Sequence, residues 1–533
     1  MSDTIKIFVG IIILLFCLNK NACSEVKVLK TKDKLYDFIT MKECSSLLIG
    51  IDTINIKMAL NESEPITFWI EGNRNIENVG IVIDKTLYGE DNNKIKLEEC
   101  KFFYGKTARL ENNYFPFFLI NFKKIRLIKN QLVYIWINIR IPEDSQQGKY
   151  FGNIKILDDN NIINSLTLCI EVYPIKLSKP DIPFGMYYDE ARSPQMYSSL
   201  KYQKKYFEDM KNHEMNSVTV YNYLEFLKKD GSCYCDFEKS WRGSGTGLNT
   251  VMKILKESKL VASNAPILFL SKKEGNSLGG GDLNMATIKK IIQQSRENDW
   301  PEFLFYLVDE PFRSGFVKNA RTIYNRSYKV LSRSLMPKLI TAIGPKGIQQ
   351  VGDLYDIWMY DIYFEQIEKY RLLAERQGKD FWIYDCRPNR FSPGEQRYFA
   401  GLFTYKAKAK GNFCWVYIHY KDLYLKKENQ VFPAYIPKYG YVLPSNQGPI
   451  PFIKWEARRE GIDDYRYLIT LEEIIKKAKT IGKLEEAYLA AQTLNSIMNT
   501  IKLEWNTLLA HRFLEIKETL AKIIISLEYE ISD

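Results

Sequence analysis

Asp309 and Glu310 are adjacent carboxylates at the end of a nearly pure run of Phe, Leu, Tyr and Val, Glu302 to Val308, and Pro311 follows them. An apolar run of this length reads as a strand buried on both faces. Two acids have no structural use at the end of such a strand, because desolvating charge is costly. Neighbours on a regular strand point to opposite faces. Both acids reach one cleft only where the strand has ended and the backbone turns, which Pro311 supports. Most glycoside hydrolysis uses two acids on different strands, about 5–9 Å apart across the sugar, whereas adjacent acids suit the substrate-assisted variant. In that chemistry the 2-acetamido oxygen of the substrate attacks the anomeric carbon. One acid orients the acetamido N–H. The other protonates the leaving oxygen, a task helped by a carboxyl pKa raised in a partly apolar pocket.

Other residues are candidates for the same cleft. Tyr384, near the end of a predicted strand, could bond an acetamido oxygen. Trp415, Tyr417 and His419 alternate along one face of a further strand and offer either a sugar platform or barrel filling. Asn222 and Tyr360 end two more strands and are candidate substrate-binding groups; for Asn222 the alternative is a turn residue. Asp189-Glu190 is a second acid pair at a strand end, with a loop salt bridge as the structural alternative. Asp361 and Asp385 also lie at strand ends, and either could serve as a nucleophile if the adjacent-pair chemistry does not apply. Asp463-Asp464 reads as a helix start, where acids favour the macrodipole or cap and pair structurally.

The elements that must position these residues form a clear order. The segment 1–23 carries Lys6, an apolar run Ile7 to Leu18 and then LNKNACSE, the pattern of a cleaved secretory signal rather than a bilayer span. Acylation of Cys23 is a weaker alternative, since Lys20 and Asn21 suit a lipobox poorly. Export to the periplasm or the medium is therefore expected. From 24 to 177 short strands and turns predominate, such as Gln131 to Ile141, Tyr150 to Leu157 and Ser165 to Val172, and predict an all-β sandwich. From 178 to 470 strands alternate with helices. The strands are expected at Phe184–Tyr188, Ser217–Tyr221, Pro266–Leu270, Glu302–Val308, Leu339–Ile343, Asp356–Tyr360, Asp380–Asp385 and Asn412–Ile418. Eight such units match a (β/α)₈ barrel, whose active sites form at the carboxyl ends of the strands. That places Asp309 and Glu310 at the end of the fourth strand. Residues 471–533 are predicted to be helical, packing on the barrel as a cap with solvated charged faces.

Composition narrows the partners. The net charge is +11 with basic and acidic residues interspersed, and there is no basic arm, zinc-finger spacing or phosphate loop, so nucleic acid is not the expected partner. Three histidines and irregularly spaced cysteines argue against a metal centre, and no cofactor is expected. Aromatic residues reach 14%, which suits sugar stacking but also a large core.

Three stretches carry a family resemblance: YLVDEP at Tyr306 to Pro311, WIYDC at Trp382 to Cys386, and WEARREGIDDYRYL at Trp455 to Leu468. Together they resemble glycoside hydrolase family 123, the β-N-acetylgalactosaminidases. The resemblance implies an amino-terminal β-sandwich, a (β/α)₈ barrel and a helical carboxyl-terminal part. It implies that Asp309 orients the acetamido group and Glu310 is the general acid/base. It further implies a retaining exo-hydrolase of terminal β-linked N-acetylhexosamine, with N-acetylgalactosamine favoured, acting on an oligosaccharide or glycolipid. The sequence departs from the family pattern at Phe452 and Lys454, where a small polar residue and Arg are expected. Two alternatives stand beside this one: a two-carboxylate glycosidase for a sugar without an acetamido group, and a non-catalytic glycan-binding surface protein.

Overall fold

Apolar alternation before Ser178 builds two sheets around one core. The computed structural model describes residues 25–31, 36, 39–90, 93–97, 100–189, 193, 197–220, 225–229, 232–238, 246–261, 266–269, 285–301, 303–311, 317–318, 320–322, 324–325, 336–387, 392–419, 436–504 and 510–532. The strands are β1 (Val26–Thr31), β2 (Leu48–Gly50), β3 (Thr53–Leu60), β4 (Ser63–Gly72), β5 (Ile76–Ile83), β6 (Thr86–Gly89), β7 (Lys94–Lys96), β8 (Lys101–Leu110), β9 (Asn113–Asn121), β10 (Ile125–Leu127), β11 (Leu132–Arg140), β12 (Gly148–Asp158) and β13 (Asn161–Lys176). One sheet runs β2-β1-β4-β11-β8-β9. The other runs β10-β5-β12-β13-β3, with β6 beside β12 and β7 beside β6. Ile66, Phe68, Ile135 and Ile137 of the first sheet share a core with Ile81, Ile154, Leu168 and Ile170 of the second. Strand β11 differs from the half-buried strand expected of Gln131–Ile141. Trp136 on its other face is also fully buried, against Tyr36 and Tyr134.

The chain forms two units. The first comprises the chain up to Ser178 with Glu473–Ala487 and Leu509–Asp533; the second comprises Lys179–Glu472 and Tyr488–Leu508. The residues after 470 are helical, Leu484–Asn499 and Ala510–Ser532. The last helix pairs within the first unit. Lys517, buried on that helix, bonds Glu62 at 2.6 Å and also Glu64, and Lys57 pairs with Glu518 at 3.0 Å.

In the second unit, strand and helix alternate around a ring of eight parallel strands. These are β14 (Phe184–Met186), β15 (Ser217–Val220), β18 (Ile267–Phe269), β19 (Leu304–Tyr306), β20 (Ile340–Ile343), β21 (Ile357–Asp361), β22 (Asp380–Asp385) and β23 (Asn412–Cys414); a hairpin of β16 (Glu225–Lys229) and β17 (Ser232–Asp236) follows β15. Each barrel strand pairs with the next, β23 pairs with β14, and the bridge Phe305↔Leu339 closes the ring. Leu304, Tyr306, Ile340, Ala342, Ile357, Met359, Trp382, Tyr384 and Phe413 fill the interior, two residues apart on each longer strand, as strand geometry requires. Gly185 leaves room for Phe413, whose ring a Cβ there would meet at 2.2 Å.

The helix Ile453–Thr480 follows the eighth strand. Asp463-Asp464 lie in its middle rather than at its start, and they are ion-pair partners: Asp464 of Arg397, Asp463 of Arg459 and Arg466. The helix approaches Pro393–Tyr398 and the turns after it at backbone distance, through Gly401 and Gly461. A Cβ on Gly461 would stand 2.3 Å from the Arg397 carbonyl and 2.9 Å from the Ala400 Cβ. Gly461→Ala is therefore expected to destabilise the protein by about 1–3 kcal/mol, as overpacking does. Urea unfolding checks it, and an unchanged midpoint would show that the two backbones can separate freely.

Candidate active site

Strand β19 ends at Tyr306, earlier than the apolar run suggests, and Val308 to Pro311 bend away from the sheet. Glu310 has φ +43°, a left-handed conformation uncommon outside glycine. The turn is anchored on β20: Thr341 Oγ1 donates to the Val308 carbonyl at 3.0 Å. Asp309 and Glu310 are both half-buried. The charges of both carboxylates bear on the hydroxyl of Tyr187, just past the end of β14. Two neighbours in sequence thus act on one point because the strand has ended.

Three aromatic rings of the mouth lie against Tyr187. The ring centroid of Tyr187 lies 5.2 Å from Tyr384, 5.4 Å from Trp415 and 6.4 Å from Tyr306. Tyr187 is fully buried; burial pushes its phenol well above the ordinary range, and the charge of Asp309 adds to this. Tyr306 donates its hydroxyl proton to Asp309 Oδ1 at 2.9 Å. Cys386 also acts on Tyr187, and its thiol donates to Asp361 Oδ2 at 3.1 Å. Burial raises the carboxyl of Asp361 above the usual range against the opposing bonds from Cys386 and the Tyr363 N–H. The barrel mouth so gathers two adjacent acids, a third carboxyl and an aromatic wall, an arrangement suited to proton transfer at a sugar stacked on rings.

Of the residues singled out from sequence, Asp309, Glu310, Tyr384 and Trp415 come together here. Tyr360 and Tyr417 do not. Tyr360 lies on the outward side of β21, stacked on Tyr370 at 5.1 Å, with its hydroxyl on the Glu365 carbonyl. Tyr417 donates to Asp209 Oδ2 of the helix Leu200–Asn212 at 2.6 Å and packs on Tyr206 and Trp455. The shared face expected of Trp415, Tyr417 and His419 is absent, because the strand stops at Cys414 and regular alternation stops with it. His419 lies against Tyr439. Asp385 is buried beside Arg387, whose N–H it accepts at 3.3 Å, and Asp189 is also buried. Asn222, Glu190 and the leader segment 1–23 lie outside the described residues. Sequence reasoning missed Tyr187, Tyr306 and Cys386. For Tyr306 a signal existed, since it shares the inward parity of Leu304 and lies three residues before Asp309.

Behind Trp415, a small cavity of ≈ 10 Å³ is lined by Asp385, Arg387, Tyr439, Tyr441 and Lys454, room for about one water. Lys454 is fully buried over the Tyr441 ring at 4.8 Å, and burial pulls its ammonium down to about 7. A lowered lysine pKa means that the unfolded chain holds the proton more tightly, so the native state is penalised most below pH 7. Lys454→Met is therefore expected to raise the melting temperature at pH 6, and the gain should shrink steadily toward pH 10. A gain that grows with pH would contradict it. A larger groove of ≈ 620 Å³, lined by Asp181, Lys406, Lys410 and Tyr465, opens before strands β14 and β23, at the amino-terminal ends and away from the acid pair. Among the described residues no group of three or more His, Cys, Asp or Glu is placed to hold a metal ion, and no described helix is long and apolar enough to cross a membrane.

No protein-family model and no curated protein sequence matches the chain. Solved structures do. A family 123 glycoside hydrolase from Clostridium perfringens, described for glycolipid glycan hydrolysis, superposes with a TM-score of 0.70 at 13% identity, covering 96% of this chain and 99% of that one. A family 39 glycoside hydrolase from Bacteroides cellulosilyticus (TM-score 0.34, 12% identity, 72% and 81% covered) and a family 5 xyloglucanase from Bacteroides ovatus (0.30, 10%, 77% and 98%) are more distant. The chain has the fold of the Clostridium enzyme over nearly its whole length.

Proposed function

We propose that the protein is an exported, retaining exo-glycosidase that removes terminal β-linked N-acetylhexosamine by substrate-assisted catalysis, with N-acetylgalactosamine on a glycolipid or oligosaccharide favoured. The observation that carries this is the adjacent pair Asp309 and Glu310, turned out of the fourth barrel strand into an aromatic mouth. Asp309 orients and polarises the acetamido N–H, so that the acetamido oxygen attacks the anomeric carbon. Glu310 gives its proton to the leaving oxygen and then takes one from the water that opens the cyclic intermediate. Trp415 supplies a stacking surface, and Tyr384 a hydroxyl for the acetamido oxygen. The likeness to a glycolipid-glycan hydrolase supports the substrate class, and the Lys6 to Leu18 leader pattern supports export.

The test is turnover of aryl β-N-acetylgalactosaminide and β-N-acetylglucosaminide by the purified protein. Hydrolysis of the first faster than the second is expected, and turnover of neither would sink the proposal. The alternative is a sugar lacking the acetamido group, with Asp361, which accepts from the Cys386 thiol, as the partner of Glu310; aryl β-galactoside turnover that Asp361→Asn abolishes would establish it.

A further inference from the structure

We infer that Tyr306 is a positioning residue that aims Asp309, through a hydrogen-bond relay that runs from β20 across β19 to the acid-bearing turn; this rests on the proposed role of Asp309. Tyr306 has one hydroxyl proton. The Ala342 N–H, 3.0 Å away on β20, can only donate, so the phenol oxygen accepts there. The Asp309 carboxylate can only accept, so the proton lies on the 2.9 Å bond to Oδ1. That hydroxyl thus accepts once and donates once, and its direction is fixed from β19 and β20 together.

The relay acts on one oxygen of Asp309 and assigns the acetamido N–H to the other. Backbone and side chain of the acid-bearing turn are then both held by β20, through Thr341 on the Val308 carbonyl and through Ala342 on Tyr306. Held groups lose less when the substrate must be met in one geometry, and small misplacements are costly to rate. Asp309 alone, on a bend outside the sheet, would have several rotamers to choose from.

A double-mutant cycle tests this with aryl β-N-acetylgalactosaminide. Tyr306→Phe keeps the ring and removes the hydroxyl. It is expected to lower kcat about tenfold or more, with KM changed less than about threefold. In the Asp309→Asn background the same change should lower kcat less than about twofold, because the group it aims is already disabled. Equal losses in both backgrounds, the signature of a merely structural tyrosine, would overturn the relay. So would an unchanged kcat in Tyr306→Phe. Full activity of Asp309→Asn alone would instead remove the underlying role of Asp309. A crystal structure of Tyr306→Phe decides the matter without any activity: Asp309 should leave its present rotamer, and an unmoved carboxylate overturns the inference.

Discussion

Replacing Glu310 by Gln is expected to lower kcat/KM on an alkyl or oligosaccharide β-N-acetylhexosaminide by about 10²–10⁴-fold, the usual worth of a positioned general acid. The amide keeps the shape and the left-handed turn at residue 310 but has no proton to give. The loss should depend on the leaving group. An aryl leaving group that departs as a stable anion needs little protonation, so glycosylation of Glu310→Gln on such a substrate should be much less affected. Asp309→Asn should behave differently. It removes the charge that faces the developing positive acetamido nitrogen, which is required whatever the leaving group, and a loss of roughly 10²–10³-fold on both substrates is expected, as for other fixed electrostatic partners. Initial rates on a matched aryl and alkyl pair check both variants. The same leaving-group pattern for the two would mean that they do not divide the work as described.

The second large effect lies away from the chemistry, in the buried charges of the helix Ile453–Thr480. Arg397 forms a two-pronged pair with Asp464, both contacts at 2.7 Å, and lies 3.6 Å from Glu460. All three side chains are nearly inaccessible to solvent. Arg397→Met leaves a buried carboxylate without its guanidinium and is expected to cost about 3–5 kcal/mol. The double variant Arg397→Met with Asp464→Leu should recover most of that, because a buried pair replaced by apolar groups is often neutral. Urea unfolding of the three variants measures the coupling. A double variant as unstable as the single one would show that the penalty is a packing loss rather than a stranded charge. The same helix meets the Leu200–Asn212 helix through polar contacts. His213 is stacked on Trp455 and reaches Glu456 at 3.2 Å, and the Trp455 indole N–H donates to Asp209. The charges of the WEARREGIDDYRYL stretch thus fasten the helix Ile453–Thr480 to the barrel.

What the sequence made legible follows from local physics. Asp380–Asp385 is a strand from its first to its last expected residue, because an apolar run with a Gly-containing turn before it and a charged loop after it leaves little choice. The acid pair was legible for the same reason, since charge at the end of a buried run contradicts the run. Tyr360 and Tyr417 were misplaced because side-chain parity is lost wherever a strand end shifts by one residue, and β23 is only three residues long. Asp463-Asp464 looked like a helix start because Gly461 breaks the apolar pattern; in the fold that glycine instead lets another backbone approach within touching distance. Lys517 belongs to a helix whose charged faces the sequence predicts to be solvated, and no local pattern reveals its pairing with Glu62 and Glu64, more than 400 positions earlier in the chain. Tyr187 was not legible because it continues an ordinary apolar run just past β14; only closure of the ring brings it to Asp309.

The central claim is that the nucleophile belongs to the substrate, and fluorination of its N-acyl group tests that most directly. Successive fluorines weaken the acetamido oxygen as a nucleophile while leaving the sugar ring and the leaving group alone. Across the acetyl, difluoroacetyl and trifluoroacetyl aryl β-N-acylgalactosaminides, kcat/KM is predicted to fall steeply, by more than about tenfold in total, equivalent to at least 1.4 kcal/mol in the barrel-bound transition state. A flat series with undiminished turnover would contradict the account and move the nucleophile to a carboxylate of the protein, with Asp361 the first to examine.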